Sequence, residues 1–384
     1  VAIAPARVVA FDVLRLVESG GFASDLLRSR SADLDSRDAG LAAQIVLGSL
    51  RFRAQLDYLI ESFSGRRVPQ LDIEVVIALR MGAFQLRYLE RVPPHAAVGE
   101  SVDLVKRAGK RSAAGFVNAV LRKLHRDPVV WPDRATGLSH PAWILERWDR
   151  QYGPEIAARI ARAGLEEPET YVRVGHGAVP PGLEPTDVPG CYRVTVAQPV
   201  PPAHLRIQDI GSQAVVPLLE LEPGQTFLDL CAAPGGKTAQ ALETGVNAVA
   251  CDLRPSRLAE MAGLGCCRVA LDGTRPLPFS ARFDRILVDA PCSGTGTLAR
   301  NPEIKWRLKP SDIAELHRRQ VLLLRNALER LAPGGRLVYS TCSLEREENE
   351  DVVEASGARA LRLWRRLPGL DAGDGFFAAV ITSA

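Results

Sequence analysis

Between residues 226 and 289 four apolar runs each lead into an aspartate. Residues 226–230 contain Asp229, 247–251 precede Asp252, 268–271 precede Asp272, and 284–288 precede Asp289. An Asp acting as a simple turn former at a strand end accounts for one or two such positions, not four. Apolar strands that alternate with helical stretches, joined by a further strand at 336–340, define a doubly wound sheet, and such sheets take their ligand at the carboxyl ends of the strands. A row of carboxylates there suits a ligand offering ribose hydroxyls, an amine and a purine amino group.

The first of these strands runs into Cys231-Ala232-Ala233-Pro234-Gly235-Gly236-Lys237-Thr238. Small residues let a ligand approach the backbone, and a helix whose free N–H groups face that ligand is expected next. Two nucleotide motifs fail here: a Walker A loop needs Gly where Cys231 stands, and the Gly-x-Gly-x-x-Gly spacing is absent. Asp252, 23 residues after Asp229, is placed as a ribose-binding carboxylate is in such folds. A long helix is expected over 312–331, opening after Pro310-Ser311 and stopping at Pro333-Gly334-Gly335.

The first 130 residues read differently. Val75, Val76, Leu79, Ala83 and Leu86 recur at helical spacing, as do Phe116, Val120 and Leu124 with Val117 and Leu121 beside them. Breaks at Ser19-Gly20-Gly21, Ser64-Gly65 and Val92-Pro93-Pro94 separate helices of a bundle. Proline punctuation over 127–141 marks a linker. A helix at 142–164 and β-like runs at 170–174 and 191–196, around a Pro/Gly-rich stretch at 179–190, follow it. The expected division is an all-α domain over 1–130, a linker and small α+β connector over 131–205, and the sheet domain over 206–384.

The composition, 46% hydrophobic and 24% charged, excludes a disordered or fibrous chain. No run approaches the ~18 apolar residues of a membrane span. The chain opens on valine, so the initiator methionine is expected to be missing, and the start lacks a full signal-peptide pattern; a cytoplasmic protein is expected. The net charge of +3 is unevenly spread: residues 1–134 hold 20 basic and 15 acidic side chains, the rest 28 and 30. Lys106, Arg107, Lys110, Arg111, Arg122, Lys123 and Arg126 form a run with no acid, suited to phosphates or simply a solvated helix face.

Seven cysteines, an odd number spread thinly, read as thiols and give no zinc-ligand spacing. Cys292, in Asp289-Ala290-Pro291-Cys292-Ser293-Gly294-Thr295-Gly296, and Cys342, in Ser340-Thr341-Cys342-Ser343, both follow strands on the ligand side. Cys231 reads as a packing residue of the loop, and Cys191, Cys251, Cys266 and Cys267 as structural.

These segments together resemble the S-adenosylmethionine-dependent RNA cytosine-5 methyltransferases. Gln208-Asp209 with Ser212-Gln213, Asn301-Pro302-Glu303-Ile304-Lys305-Trp306 and Asp374-Gly375-Phe376-Phe377 are similar to that family too. The helical first third resembles the NusB-like RNA-binding fold, a combination found in the bacterial Sun/RsmB group, which modifies small-subunit ribosomal RNA. The resemblance implies a Rossmann-like class I methyltransferase domain, with a mostly parallel sheet, preceded by an all-α NusB-like domain and the connector. It also implies methylation of cytosine carbon 5 in 16S rRNA.

Carbon 5 of cytosine is a poor nucleophile, so a thiolate must first add to carbon 6. By resemblance Cys342 is that nucleophile, Cys292 assists release, and Asp289, protonated or sharing a proton with ring nitrogen 3, stabilises the developing charge. The cofactor S-adenosyl-L-methionine would lie against Cys231, Ala232, Ala233, Pro234, Gly235, Gly236 and Lys237, with Asp252 on the ribose, Asp272 on the adenine and Asp289 beside it. Lys237 is left between the cofactor carboxylate and the base. Only 19 residues separate Asp252 from Asp272, so the helix between them is expected to be trimmed.

Unstacking the target base is easiest in loops or partly unfolded RNA. Free 16S rRNA or an early assembly intermediate is thus the expected partner, met by a monomer with no metal and no membrane. Lys106, Arg107, Lys110 and Arg111 are candidate phosphate contacts. Lys305, Trp306 and Arg307 offer charge and a stacking face, the alternative being a packing Trp with solvated neighbours. Competing readings are a tRNA or DNA cytosine-5 methyltransferase and a non-catalytic RNA-binding assembly factor.

Overall fold

In the computed structural model, which describes residues 3–124, 126–175, 177–196 and 205–383, every residue from Val75 to Gln85 of helix Ile73–Tyr88 is buried. A helix covered on all sides belongs at the centre of a bundle. Helices Pro5–Glu18, Ser36–Arg51, Arg53–Ser64, Pro94–Arg107 and Ala114–Arg122 pack around it. The foreseen breaks are present: Gly65, left-handed at φ 69°, closes Arg53–Ser64, and Pro94 opens its helix. Arg80 lies inside the bundle, donating to both carboxylate oxygens of Asp57 at 2.7 and 2.8 Å and to Glu18 at 3.2 Å, as a buried guanidinium requires.

The chain forms two compact units, residues 1–167 with 298–307, and 168–297 with 308–384. Contacts thus divide the chain after 167, within the stretch expected to hold the linker and connector. Residues 131–167 pack with the first helices, and the helix expected over 142–164 is two, Ala142–Tyr152 and Pro154–Ala163, broken at Gly153. Trp148, fully buried, belongs to this packing. Of the proposed connector, positions 176 and 197–204 lie outside the described residues. What remains after 167 is a four-stranded antiparallel sheet of β1 (Tyr171–Val174), β2 (Leu183–Pro185), β3 (Cys191–Val194) and β4 (Leu205–Ile207), in the order β2-β3-β1-β4.

The larger sheet of the second unit comprises β5 (Thr226–Asp229), β6 (Asn247–Asp252), β7 (Cys267–Ala270), β8 (Phe283–Asp289), β9 (Leu331–Thr341), β10 (Ala360–Arg366) and β11 (Phe376–Thr382). Their order is β10-β11-β9-β8-β5-β6-β7; β5 to β9 are parallel, β11 runs antiparallel to them, and β10, antiparallel to β11, runs in their direction. Leu228, Ile286, Leu337 and Tyr339 fill one core, and Phe227, Leu287 and Val338 the other. The central strands are buried on both faces, so they read as continuous apolar runs.

The long helix is Pro310–Leu328, three residues shorter at its end than expected, because β9 already opens at Leu331. Pro333-Gly334-Gly335 lies within the irregular register between Phe283 and Arg285 on the neighbouring strand. The helix between β6 and β7 is trimmed to Pro255–Ala259, as the short Asp252–Asp272 spacing required. No described helix is long and apolar enough to cross a membrane.

Candidate active site

The parallel strands bring three carboxylates to one edge. Asp229, Asp252 and Asp289 are the last residues of β5, β6 and β8. Asp272 lies two residues beyond the end of β7, where its carboxylate accepts from Thr274 N at 3.0 Å and Thr274 Oγ1 at 2.6 Å. These hydrogen bonds hold its pKa below the usual carboxylate range. The expectation of a fourth strand-terminal Asp is thereby corrected to an Asx turn.

The loop after β5 turns sharply at Gly235, left-handed at φ 100°, where a Cβ would meet Leu264 at 2.8 Å and Met261 at 2.9 Å. Only glycine fits there. The loop is held by Asp252, whose Oδ2 accepts from Ala233 N at 3.3 Å and whose Oδ1 accepts from Arg254 N at 3.0 Å. Arg257 donates to Ala233 O at 3.1 Å. Beneath the loop, Thr238 Oγ1 donates to Asp229 Oδ2 at 2.6 Å, while Asp229 Oδ1 is buried with no partner. Burial raises the Asp229 pKa to about 7, against the opposing hydrogen bond from Thr238. Burial also pushes the Cys231 thiol well up, and the Cys251 thiol to about 12, in keeping with packing roles.

Lys237 reaches from the helix after this loop to Asp289, Nζ to Oδ2 at 2.6 Å, and lies 5.3 Å from the Phe376 ring centroid. Ser340 Oγ donates to the other oxygen of Asp289 at 2.8 Å. Burial pulls the Lys237 pKa down, but the Asp289 charge, the hydrogen bond to it and Cys342 outweigh that, leaving it raised. Lys237 is thus an ammonium paired within the site.

Beyond the ends of β8 and β9 the two singled-out thiols meet, Cys292 Sγ 3.3 Å from Cys342 Sγ. The hydrogen bond with Cys342, burial, and the Cys342 and Glu348 charges hold the Cys292 pKa well above the ordinary thiol range. The approach depends on Gly296, whose N–H donates to Cys342 O at 2.9 Å; a Cβ there would sit 2.3 Å from Gly375 O.

Residues that sequence reasoning passed over complete the site. Glu348, Gln320, Ser293 and Ser343 form one buried network beside the thiols. Their signal was a serine directly after each cysteine, whereas the acidic run around Glu348 resembles a solvated surface.

Lys305, Trp306 and Arg307 do not present an open face to RNA. Lys305 is fully buried and donates to Arg51 O at 3.0 Å, Trp306 Nε1 donates to Leu50 O at 2.7 Å, and Arg307 donates to Val17 O, Gly20 O and Gly21 O. These carbonyls lie at or just beyond the ends of helices Pro5–Glu18 and Ser36–Arg51, where intrahelical donors run out. Lys305 and Arg307 are engaged as helix caps, while the Trp306 ring stays half-buried. In the basic run, Lys106 pairs with Asp103 at 2.9 Å, Arg107 with Asp12 at 3.0 Å and Lys110 with Asp72 at 3.0 Å. Arg111 is exposed, with no ion pair among the described residues.

A parallel sheet with one reversed strand, β11, a small-residue loop after its first strand and acids at its strand ends define a class I S-adenosylmethionine-dependent methyltransferase. Residues 216–363 match the family described as 16S rRNA methyltransferase RsmB/F, and residues 4–126 the NusB family. The chain is 32% identical to ribosomal RNA small subunit methyltransferase B of Klebsiella pneumoniae, covering 95% of each. It is 33% identical to the probable ribosomal RNA small subunit methyltransferase B of Bacillus subtilis, covering 91% of this chain and 87% of that one. Among solved structures, a methyltransferase homologue from Pyrococcus horikoshii is 27% identical at TM-score 0.56, over 66% of this chain and all of that one. The chain belongs to the RsmB/F family of 16S rRNA methyltransferases.

Proposed function

We propose that this methyltransferase modifies carbon 5 of a cytosine in 16S rRNA through a covalent adduct on Cys342. The observation that carries the reading is the pair of thiols 3.3 Å apart beside the Lys237–Asp289 ion pair. One thiol is needed to add to the base and a second to help it leave. Two thiols side by side, neither belonging to a metal cluster or a disulfide among the described residues, suit that division.

The cofactor supplies an electrophilic methyl group. The cradle for it is the loop 231–237, with Asp252 toward the ribose and Asp272 toward the adenine. Asp252 already accepts from the loop N–H of Ala233, so ribose binding and loop shape are coupled through one carboxylate.

Cys342 Sγ bonds to carbon 6 of the cytosine. Its proton goes to ring nitrogen 3 through the Lys237–Asp289 pair, leaving carbon 5 nucleophilic. After methylation carbon 5 holds one proton too many. The Cys292 thiolate removes it, the electrons of that C–H bond restore the carbon 5–carbon 6 double bond, and the carbon 6–sulfur bond breaks. Cys342 leaves as a thiolate and takes back the nitrogen 3 proton. The high basicity of Cys292 fits it for this removal.

The substrate is free 16S rRNA or an early assembly intermediate in the cytoplasm, bound by a monomer, with Lys106, Arg107, Lys110 and Arg111 contributing to phosphate attraction. Single cysteine variants, incubated with rRNA and methyl-labelled cofactor, test the reading. Cys342→Ala should abolish both methylation and adduct, and Cys292→Ala should accumulate adduct. An adduct that survives Cys342→Ala but disappears in Cys292→Ala overturns it.

A further inference from the structure

Glu348, fully buried, accepts four hydrogen bonds on its carboxylate. Oε1 takes Ser293 N at 2.8 Å and Gln320 Nε2 at 3.0 Å, and Oε2 takes the hydroxyls of Ser293 and Ser343. Ser343 Oγ itself accepts from Glu345 N at 3.0 Å, so its own proton is available to Glu348. Four donors fill the acceptor capacity of a carboxylate. Ser293 directly follows Cys292, and Ser343 directly follows Cys342.

The same network grips the other side of each thiol. Gln320 Nε2 also donates to Pro291 O at 2.8 Å, just before Cys292. Asn349, next to Glu348, accepts from Thr341 Oγ1 and donates to Ser343 O at 2.9 Å, bracketing Cys342. The backbone of Glu348 is pinned in turn by Tyr339 OH on β9, at 2.6 Å. The two loops thus come together on one anion.

We propose that Glu348 is the positioning residue of the thiol pair: it gathers the Cys292 and Cys342 loops on one carboxylate, so that the two sulfurs lie 3.3 Å apart. The proposal rests on the two-thiol reading above. The charges around the pair are arranged unequally. Cys292 lies against Cys342 and within the field of Glu348, while Cys342 lies within the field of the Lys237 ammonium, itself paired to Asp289. The hydrogen bond with Cys342, burial and the Glu348 anion beside Cys292 raise the pKa of that thiol. Cys292 thereby keeps the basicity that release requires.

The test is alkylation of Cys292 by iodoacetamide across pH, read by peptide mass spectrometry in full-length Cys342→Ala protein with and without Glu348→Gln. Removing the charge should move the alkylation midpoint down by roughly one pH unit, giving about tenfold faster Cys292 alkylation below it. With Cys342 present, Glu348→Gln should lower kcat more than about tenfold while the cofactor Kd stays within about twofold. Glu348→Asp, which keeps the charge, should restore the high alkylation midpoint but not the full kcat. An unmoved midpoint together with wild-type kcat overturns the proposal. Should Glu348→Gln not fold, Ser343→Ala removes one donor and keeps the charge; it must lower kcat at unchanged cofactor affinity, and a wild-type kcat there overturns the proposal equally. The alkylation measurement needs no methylation, so methylation surviving Cys342→Ala would defeat the two-thiol reading separately.

Discussion

Lys237 Nζ lies 2.6 Å from Asp289 Oδ2, joining the helix that follows β5 to the end of β8. The ion pair turns Lys237 toward the strand-end acid beside the thiols. Its raised pKa keeps it an ammonium, with the Asp289 charge and hydrogen bond outweighing burial. Lys237→Met should therefore lower kcat by about 10²-fold or more, the usual cost of losing a proton-transfer group. Equilibrium binding and single-turnover rates separate the effects: a large loss of cofactor affinity with unchanged kcat would return Lys237 to the cofactor carboxylate.

Release of the adduct should depend steeply on pH. In the adduct Cys342 is bonded to carbon 6, but burial and the Glu348 charge still hold the Cys292 pKa up, so its thiolate becomes plentiful only above the ordinary thiol value of about 8.5. Chasing a preformed adduct with unlabelled cofactor should show release accelerating as pH rises through and beyond that value. A release rate that is flat from neutral to alkaline pH would assign the proton to another base.

Asp229 gives a stability prediction of definite sign. Its folded pKa of about 7 lies above the ordinary aspartate value of 3.8, because burial outweighs the Thr238 hydrogen bond. Between those values the folded state binds the extra proton, so this group's contribution to stability is full below about pH 4 and is lost as pH rises toward 7. Thermal melting should show that dependence, and Asp229→Asn should flatten it, gaining on the parent protein between acid and neutral pH. Parallel melting curves for the two proteins at all pH values would count against a raised Asp229.

Much of this was legible because it is local. Parallel strands buried on both faces announce themselves as apolar runs, and their terminal residues Asp229, Asp252 and Asp289 follow from where the runs stop. The loop 231–237 and both cysteines were marked by unusual small-residue surroundings. What escaped depends on long-range pairing. Glu348 meets Ser293 across 55 residues, and Lys305 meets Arg51 across 254. Neither spacing leaves a periodicity, and a cation drawn in to cap a helix has the same sequence signature as one aimed at a phosphate. The strand pair β10 and β11 escaped for a related reason: β10 is an edge with exposed Leu361 and Leu363, so its pattern does not alternate cleanly.

Helix capping by Lys305 makes the RNA contribution of the basic residues separable. Burial, then the Arg51 charge, pushes the Lys305 pKa well down, so Lys305→Met should alter stability and leave the salt dependence of RNA binding unchanged. Arg111 is exposed without an ion pair among the described residues, whereas Lys106, Arg107 and Lys110 each already answer an aspartate. Arg111→Glu should therefore weaken rRNA binding more than Lys106→Glu and reduce the slope of log K against log salt by about 0.7–0.9 for each phosphate no longer neutralised. Filter binding across a salt series measures both quantities. Equal slopes for the parent, Arg111→Glu and Lys106→Glu proteins would make this run a solvated helix face and move the search for the RNA-binding surface elsewhere.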